Sequence, residues 1–138
     1  LTLHPRLKKT QHTIEITGDK QVEIDSFPGS FSQIVTNLIM NSVIHAFEDD
    51  IAGQIKINIE LREERVILTY SDNGVGVDEE NLAKIFDPFF TTKRGYGGTG
   101  LGMHIVYNLV TQKLKGLIQC DSSLGKGVVF IISLPLSI

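Results

Sequence analysis

The sequence predicts an α+β domain built as a two-layer α/β sandwich, a mixed β-sheet with helices on one face. Gln54 to Arg62 and Arg65 to Ser71 alternate apolar and polar residues and are separated only by Glu63 and Glu64, which marks a hairpin of long strands. From Phe31 to Phe47 the positions Phe31, Ile34, Val35, Leu38, Ser42 and Ala46 recur at helical spacing, so one helix face packs inward. Strand and helix signals then follow as β units with a helix, a hairpin, two helices and a final hairpin. That order places helices against one side of a mixed sheet.

The 138 residues form about one domain and suffice for a core, and 41% apolar with 21% charged residues is the composition of an ordinary globule. The net charge is −3 and no basic run exceeds two residues, so no nucleic-acid partner is expected. Cys120 stands alone, without a disulfide or zinc partner, and reads as a packed strand residue in a reducing compartment. No apolar run approaches the roughly 18 residues that span a bilayer, and no signal-peptide core opens the chain. We therefore expect a cytoplasmic domain without direct membrane contact. LTLHPRLKK at the start, without an initiating Met, suggests a piece of a longer protein.

Taken in order, HTIEIT (12–17) and QVEID (21–25) flank Gly18 and Asp19 as a hairpin or two short strands. Pro28, Gly29 and Ser30 punctuate the chain, with Ser30 placed to cap the following helix. On that helix Asn37, Asn41 and His45 are four apart and form a polar strip beside the apolar stripe. A half-buried amide needs partners, so this strip points to a polar ligand or ordered water, although capping of nearby backbone would also use it.

The second long strand runs into Asp72-Asn73-Gly74-Val75-Gly76-Val77. A carboxylate at a strand end, followed by two glycines, can accept from an exocyclic amine while a planar ligand lies against backbone. A plain Asp-Asn-Gly turn fits the same residues. Residues 78–86 (DEENLAKIF) read as a short helix with acidic residues in its first turn, ended by Pro88. Thr91 to Gly98 lacks periodicity and is a candidate lid.

GGTGLG then enters a helix from about Thr99 to Leu114, so amides near Gly98 to Gly102 would face outward at a helix start. Such a start attracts phosphate, and Lys93 and Arg94 lie just upstream, although a flexible loop with a helix cap has the same composition. The spacing matches neither the Walker loop nor the dinucleotide fingerprint. LIQCDSS (117–123), a turn at Leu124-Gly125-Lys126-Gly127, and VVFIISLPL (128–136) close the chain as strands.

Together these pieces resemble the catalytic ATP-binding domain of sensor histidine kinases, of the Bergerat fold shared with DNA gyrase, the large heat-shock chaperone and mismatch-repair ATPases. NLIMNSVIHAF (37–47) resembles the N box, DNGVGV (72–77) the first glycine box, IFDPFFTTK (85–93) the F box and GGTGLGMHIV (97–106) the second glycine box, in the family's order. The resemblance spans residues 12–136. It implies a catalytic domain over 12–138, preceded by a linker (1–11) from a missing dimerisation and phosphoacceptor hairpin.

The resemblance implies ATP and Mg²⁺ as cofactors. Asp72 would read the adenine amine, and Gly74 and Gly76 would admit the base. Asn41, supported by Asn37, would bind the metal, and His45 would contact phosphate or ribose. Lys93, Arg94 and the amides around Gly98, Gly100, Leu101 and Gly102 would hold the phosphates, with Val77, Phe86, Thr92 and Thr99 also in the nucleotide site.

The ATPase relatives place a Glu where this chain has Asn37, and an amide cannot take a proton from water at neutral pH. The resemblance thus implies γ-phosphate donation to a histidine on a separate domain, with a response regulator downstream, and no catalytic phosphoacceptor in this chain. His4 beside Pro5 is given no role. An ATPase or nucleotide-operated clamp, and a non-catalytic nucleotide sensor, are the alternatives. Ile44 stands where many relatives carry Lys or Arg, and Val128 where Thr is common. The parent protein would be cytosolic or the cytosolic part of a membrane-bound sensor.

Overall fold

The computed structural model describes residues 6–7, 12–18, 28–43, 53–88 and 102–135. Strand β1 (Arg6–Leu7) lies in the stretch expected to be a linker, and β2 (His12–Gly18) follows it. Helix α1 (Pro28–Asn41) precedes the hairpin β3 (Gln54–Arg62) and β4 (Arg65–Asp72). Then come α2 (Glu79–Leu82), α3 (Gly102–Asn108) continuing as a π-helical turn over Leu109–Lys113, and the hairpin β5 (Leu117–Ser122) and β6 (Val128–Pro135).

The strands form one sheet in the order β1-β2-β3-β4-β6-β5, in which only β2 and β3 run parallel. This is the expected mixed sheet. Register explains its one-sidedness. Ile55, Asp72 and Val128 share one row, Ile57, Tyr70 and Phe130 the next, then Leu68 with Ile132 and Val66 with Leu134. All of these are buried, and the intervening residues are more exposed. The period-two alternation therefore delivers a single apolar face, against which Ile34 and Leu38 of α1, Met103 and Val106 of α3, and Val110 and Leu114 beyond it pack. Each such side chain contributes about 1.5–3 kcal/mol when fully buried, so the sheet and the two helices stabilise one another.

Local chemistry sets the ends of the elements. Pro28, which has no N–H to satisfy, opens the observed α1, so Ser30 sits buried in the first turn and is not the cap expected of it. Asp78 caps α2 by accepting from the Asn81 amide at 2.7 Å. Glu63 and Glu64 form the predicted two-residue turn, both in the left-handed region (φ 49° and 65°). Cys120 is packed against the core, and burial, reinforced by the charges of Asp121 and Asp72, pushes its thiol up to about 12. That describes an inert packing residue, as expected. Residues 21–25, 44–47 and the candidate lid 91–98 lie outside the described residues.

Candidate nucleotide site

Because β4 alternates strictly, its last residue, Asp72, falls on the buried face, and only 8% of it is exposed. An isolated buried carboxylate is costly, so its partners matter. Three donors surround it. The Gly74 amide (3.0 Å) and the Val128 amide (3.2 Å) donate to Oδ1, and the Ser42 hydroxyl donates to Oδ2 at 2.7 Å. Burial raises the Asp72 pKa, and the bonds from Ser42, Gly74 and Val128 pull it back toward the charged form.

Ser42 continues the apolar stripe of α1 four residues beyond Leu38, where the helix widens into a π turn at 42–43. Tyr70, two residues before Asp72 and therefore on the same face, has its hydroxyl within hydrogen-bond distance of both the Leu38 carbonyl (2.9 Å) and the Ser42 hydroxyl (2.5 Å). Sequence reasoning gave neither residue a role. The available signals were a hydroxyl on an otherwise apolar stripe and a phenol in a buried row.

The loop after Asp72 is clamped at several points. Asn73 exchanges two bonds with Gln54, its side-chain oxygen accepting the Gln54 amide at 2.8 Å and its own amide reaching the Gln54 carbonyl at 3.2 Å. The Val77 amide donates to Ser122 Oγ (2.8 Å), which donates to the Gly127 carbonyl (2.6 Å), and Gly125 donates to the Val75 carbonyl (2.7 Å). Gly76 has φ +77°, and a Cβ there would stand 2.1 Å from the Ser123 carbonyl oxygen. Its need for glycine thus arises already from the β5–β6 turn packing on this loop. Gly127 approaches Asp72 as closely, its would-be Cβ 2.0 Å from the Asp72 carbonyl.

On α1, Asn37 and Asn41 are partly buried. The Asn37 Nδ2 atom is buried without a hydrogen-bond partner among the described residues. Phe86 packs its ring at 5.2 Å from Tyr107 and 6.3 Å from Phe130. Its carbonyl accepts from His104 Nδ1 at 3.1 Å, which leaves Nε2 to accept from the Asn108 amide at 3.2 Å. A Cβ at Gly102 would meet nothing within 4 Å among the described residues.

Among the expected site residues, then, Asp72 and Gly74 are bonded directly, Val77 is bonded to Ser122, which holds the carbonyl of Gly127 next to the Val128 amide that reaches Asp72, and Asn41 adjoins Ser42 in the chain. A groove of about 550 Å³ lies elsewhere, along β5 and β6, and among the described residues it shares only Phe86 with the expected ones. His45, Thr92, Lys93, Arg94, Gly98, Thr99, Gly100 and Leu101 lie outside the described residues.

Comparison with known proteins bears on this arrangement. The family described as "Histidine kinase-, DNA gyrase B-, and HSP90-like ATPase" matches residues 28–138. The chain belongs to that family. The sensor histidine kinase ZraS of Salmonella typhimurium is 41% identical over 119 residues, covering 84% of this chain and 23% of ZraS. The chain therefore spans under a quarter of that relative's length. The catalytic domain of histidine kinase ThkA superposes with a TM-score of 0.73 at 31% identity, over 90% of this chain and 80% of ThkA's. Full-length ShkA in complex with AMPPNP gives 0.71 at 29%, over 88% of this chain and 25% of that one. The mixed sheet with helices on one face is thus the histidine-kinase ATPase fold. No helix among the described residues is long and apolar enough to cross a membrane.

Proposed function

We propose that this domain binds Mg-ATP and donates its γ-phosphate to a histidine on a separate dimerisation hairpin of the same kinase, for onward transfer to a response regulator. The observation that carries the reading is the buried Asp72. Its Oδ1 is filled by two amides, and its Oδ2 takes one hydroxyl, leaving acceptor capacity that suits the 6-amino group of adenine. An acceptor-only carboxylate also disfavours a 6-oxo purine.

The orphaned Asn37 Nδ2 fits a phosphate oxygen or a metal-bound water, and Asn41 offers an amide oxygen to Mg²⁺, which commonly takes its remaining ligands from phosphate and water. When bound, Mg²⁺ would neutralise phosphate charge. Lys93, Arg94 and the amides of 98–102 supply the remaining phosphate contacts in this reading.

Asn37 in place of a carboxylate leaves no base for water at that position, so the domain works by positioning and charge neutralisation. We place it on the cytosolic side of its parent protein. Calorimetry tests the site. Asp72→Asn should weaken ATP binding about tenfold or more, the loss of one buried acceptor. Asn41→Ala should weaken binding more with Mg²⁺ than without it. Equal affinities in all three proteins would refute the assignment. Mixed with a separate hairpin domain, the chain should place phosphate on histidine, and release of free phosphate instead would favour an ATPase.

A further inference from the structure

We infer that Ser42, supported by Tyr70, is a positioning residue for purine recognition, one that keeps Asp72 an acceptor and so sets the preference for a 6-amino purine. The inference rests on the reading of Asp72 given above. It starts from a hydrogen count. Asp72 Oδ2, Ser42 Oγ, Tyr70 Oη and the Leu38 carbonyl make a line of three contacts of 2.7, 2.5 and 2.9 Å. Ser42 and Tyr70, both 0% exposed, own one hydrogen each, so two hydrogens serve three contacts when Asp72 is charged.

The stronger bond goes to the ionised partner, so the Ser42 hydrogen belongs to Asp72. Two oxygens 2.5 Å apart need a hydrogen between them, so Tyr70 spends its own hydrogen on Ser42 Oγ, which turns the Ser42 hydroxyl toward the carboxylate, and the longer 2.9 Å approach to the Leu38 carbonyl goes without one in this state. A protonated Asp72 would complete the line differently, donating to Ser42, which would donate to Tyr70. In that state Oδ2 is a donor and no longer matches an exocyclic amine. Burial favours this neutral state, and the Ser42 hydrogen opposes it. Ser42 touches the nucleotide in neither arrangement and acts only through Asp72.

The test compares ATP with the triphosphate of purine riboside, which lacks the 6-amino group, on the 138-residue chain. Both affinities come from the same protein sample, so their ratio is insensitive to any fraction that is unfolded. The wild type should prefer ATP by about tenfold or more, as expected for a buried amine-to-carboxylate bond. Ser42→Ala should narrow that preference to about threefold or less, and Ser42→Thr, which keeps the hydroxyl, should restore it. If Ser42→Ala does not fold, Ser42→Cys, which keeps the volume with only a weak S–H donor, is read by the same ratio and should also narrow it. A wild-type ratio in Ser42→Ala or Ser42→Cys, with the ratio abolished in Asp72→Asn, would overturn this inference and leave the adenine-reading role of Asp72 standing. No discrimination in the wild type, together with full affinity in Asp72→Asn, would remove both.

Discussion

Burial works against the charge of Asp72, and this has a measurable cost. Its pKa is raised in the folded chain, so the folded state binds a proton more readily than the unfolded one between the ordinary carboxylate range and the raised value. The sign follows: this group's contribution to stability is most favourable at low pH and diminishes as pH rises through that window. An Asn in its place keeps an oxygen for the Gly74 and Val128 amides, and its NH₂ supplies the hydrogen that the Ser42–Tyr70 line lacks. Asp72→Asn should therefore be at least as stable as the wild type near neutral pH while binding ATP poorly. Urea melts of both proteins at about pH 4, the foot of that window, and about pH 8 check this; the advantage of the variant should grow at the higher pH. A variant markedly less stable at the higher pH would contradict the hydrogen count. At this scale the sequence was partly legible. Asp72 stood out because it ends an alternating strand and precedes glycines, whereas Ser42 did not, since nothing in a helical periodicity says that a hydroxyl on the buried stripe will meet a carboxylate 30 positions away.

The elements show where local chemistry and tertiary demand agree and where they conflict. The β3–β4 turn is read directly from the sequence because two residues between alternating runs leave room only for a tight hairpin. Its residues are nevertheless poor choices for that conformation. Glu63 and Glu64 both adopt positive φ, at about 1–2 kcal/mol each for a residue with a Cβ. The double substitution Glu63→Asn with Glu64→Gly, which supplies the residue types such a turn favours, should stabilise the domain by about 1–2 kcal/mol, seen as a higher urea midpoint with an unchanged slope. Gly76 is the opposite case. Its positive φ and the Ser123 carbonyl leave no space for a side chain, so Gly76→Ala should cost about 2–3 kcal/mol through strain and clash. Circular dichroism melts without nucleotide isolate that cost, and an unchanged melting temperature would show that the β5–β6 turn yields freely. The π-helical ends of the two long helices were not foreseeable, since a widened turn is set by what the helix packs against.

Over the whole molecule, the apolar patterns located every described strand from β2 to β6 and the two main helices, because period two and period 3.6 each mark one face for burial. Strand order was less accessible. The parallel pairing of β2 with β3 and the insertion of β6 between β4 and β5 depend on contacts between segments far apart in the chain, which periodicity does not record. The short strand β1 was read as linker, since two residues carry no pattern.

The three groups that grip Asp72 come from the end of α1, the loop after β4 and the start of β6, positions 42, 74 and 128. No short stretch of this polypeptide can reproduce that grip. Recognition of a purine at Asp72 would accordingly report on the assembled architecture. A bound nucleotide, conversely, should protect distant peptide bonds from proteases, because opening any one of the three segments would dissolve the same contact.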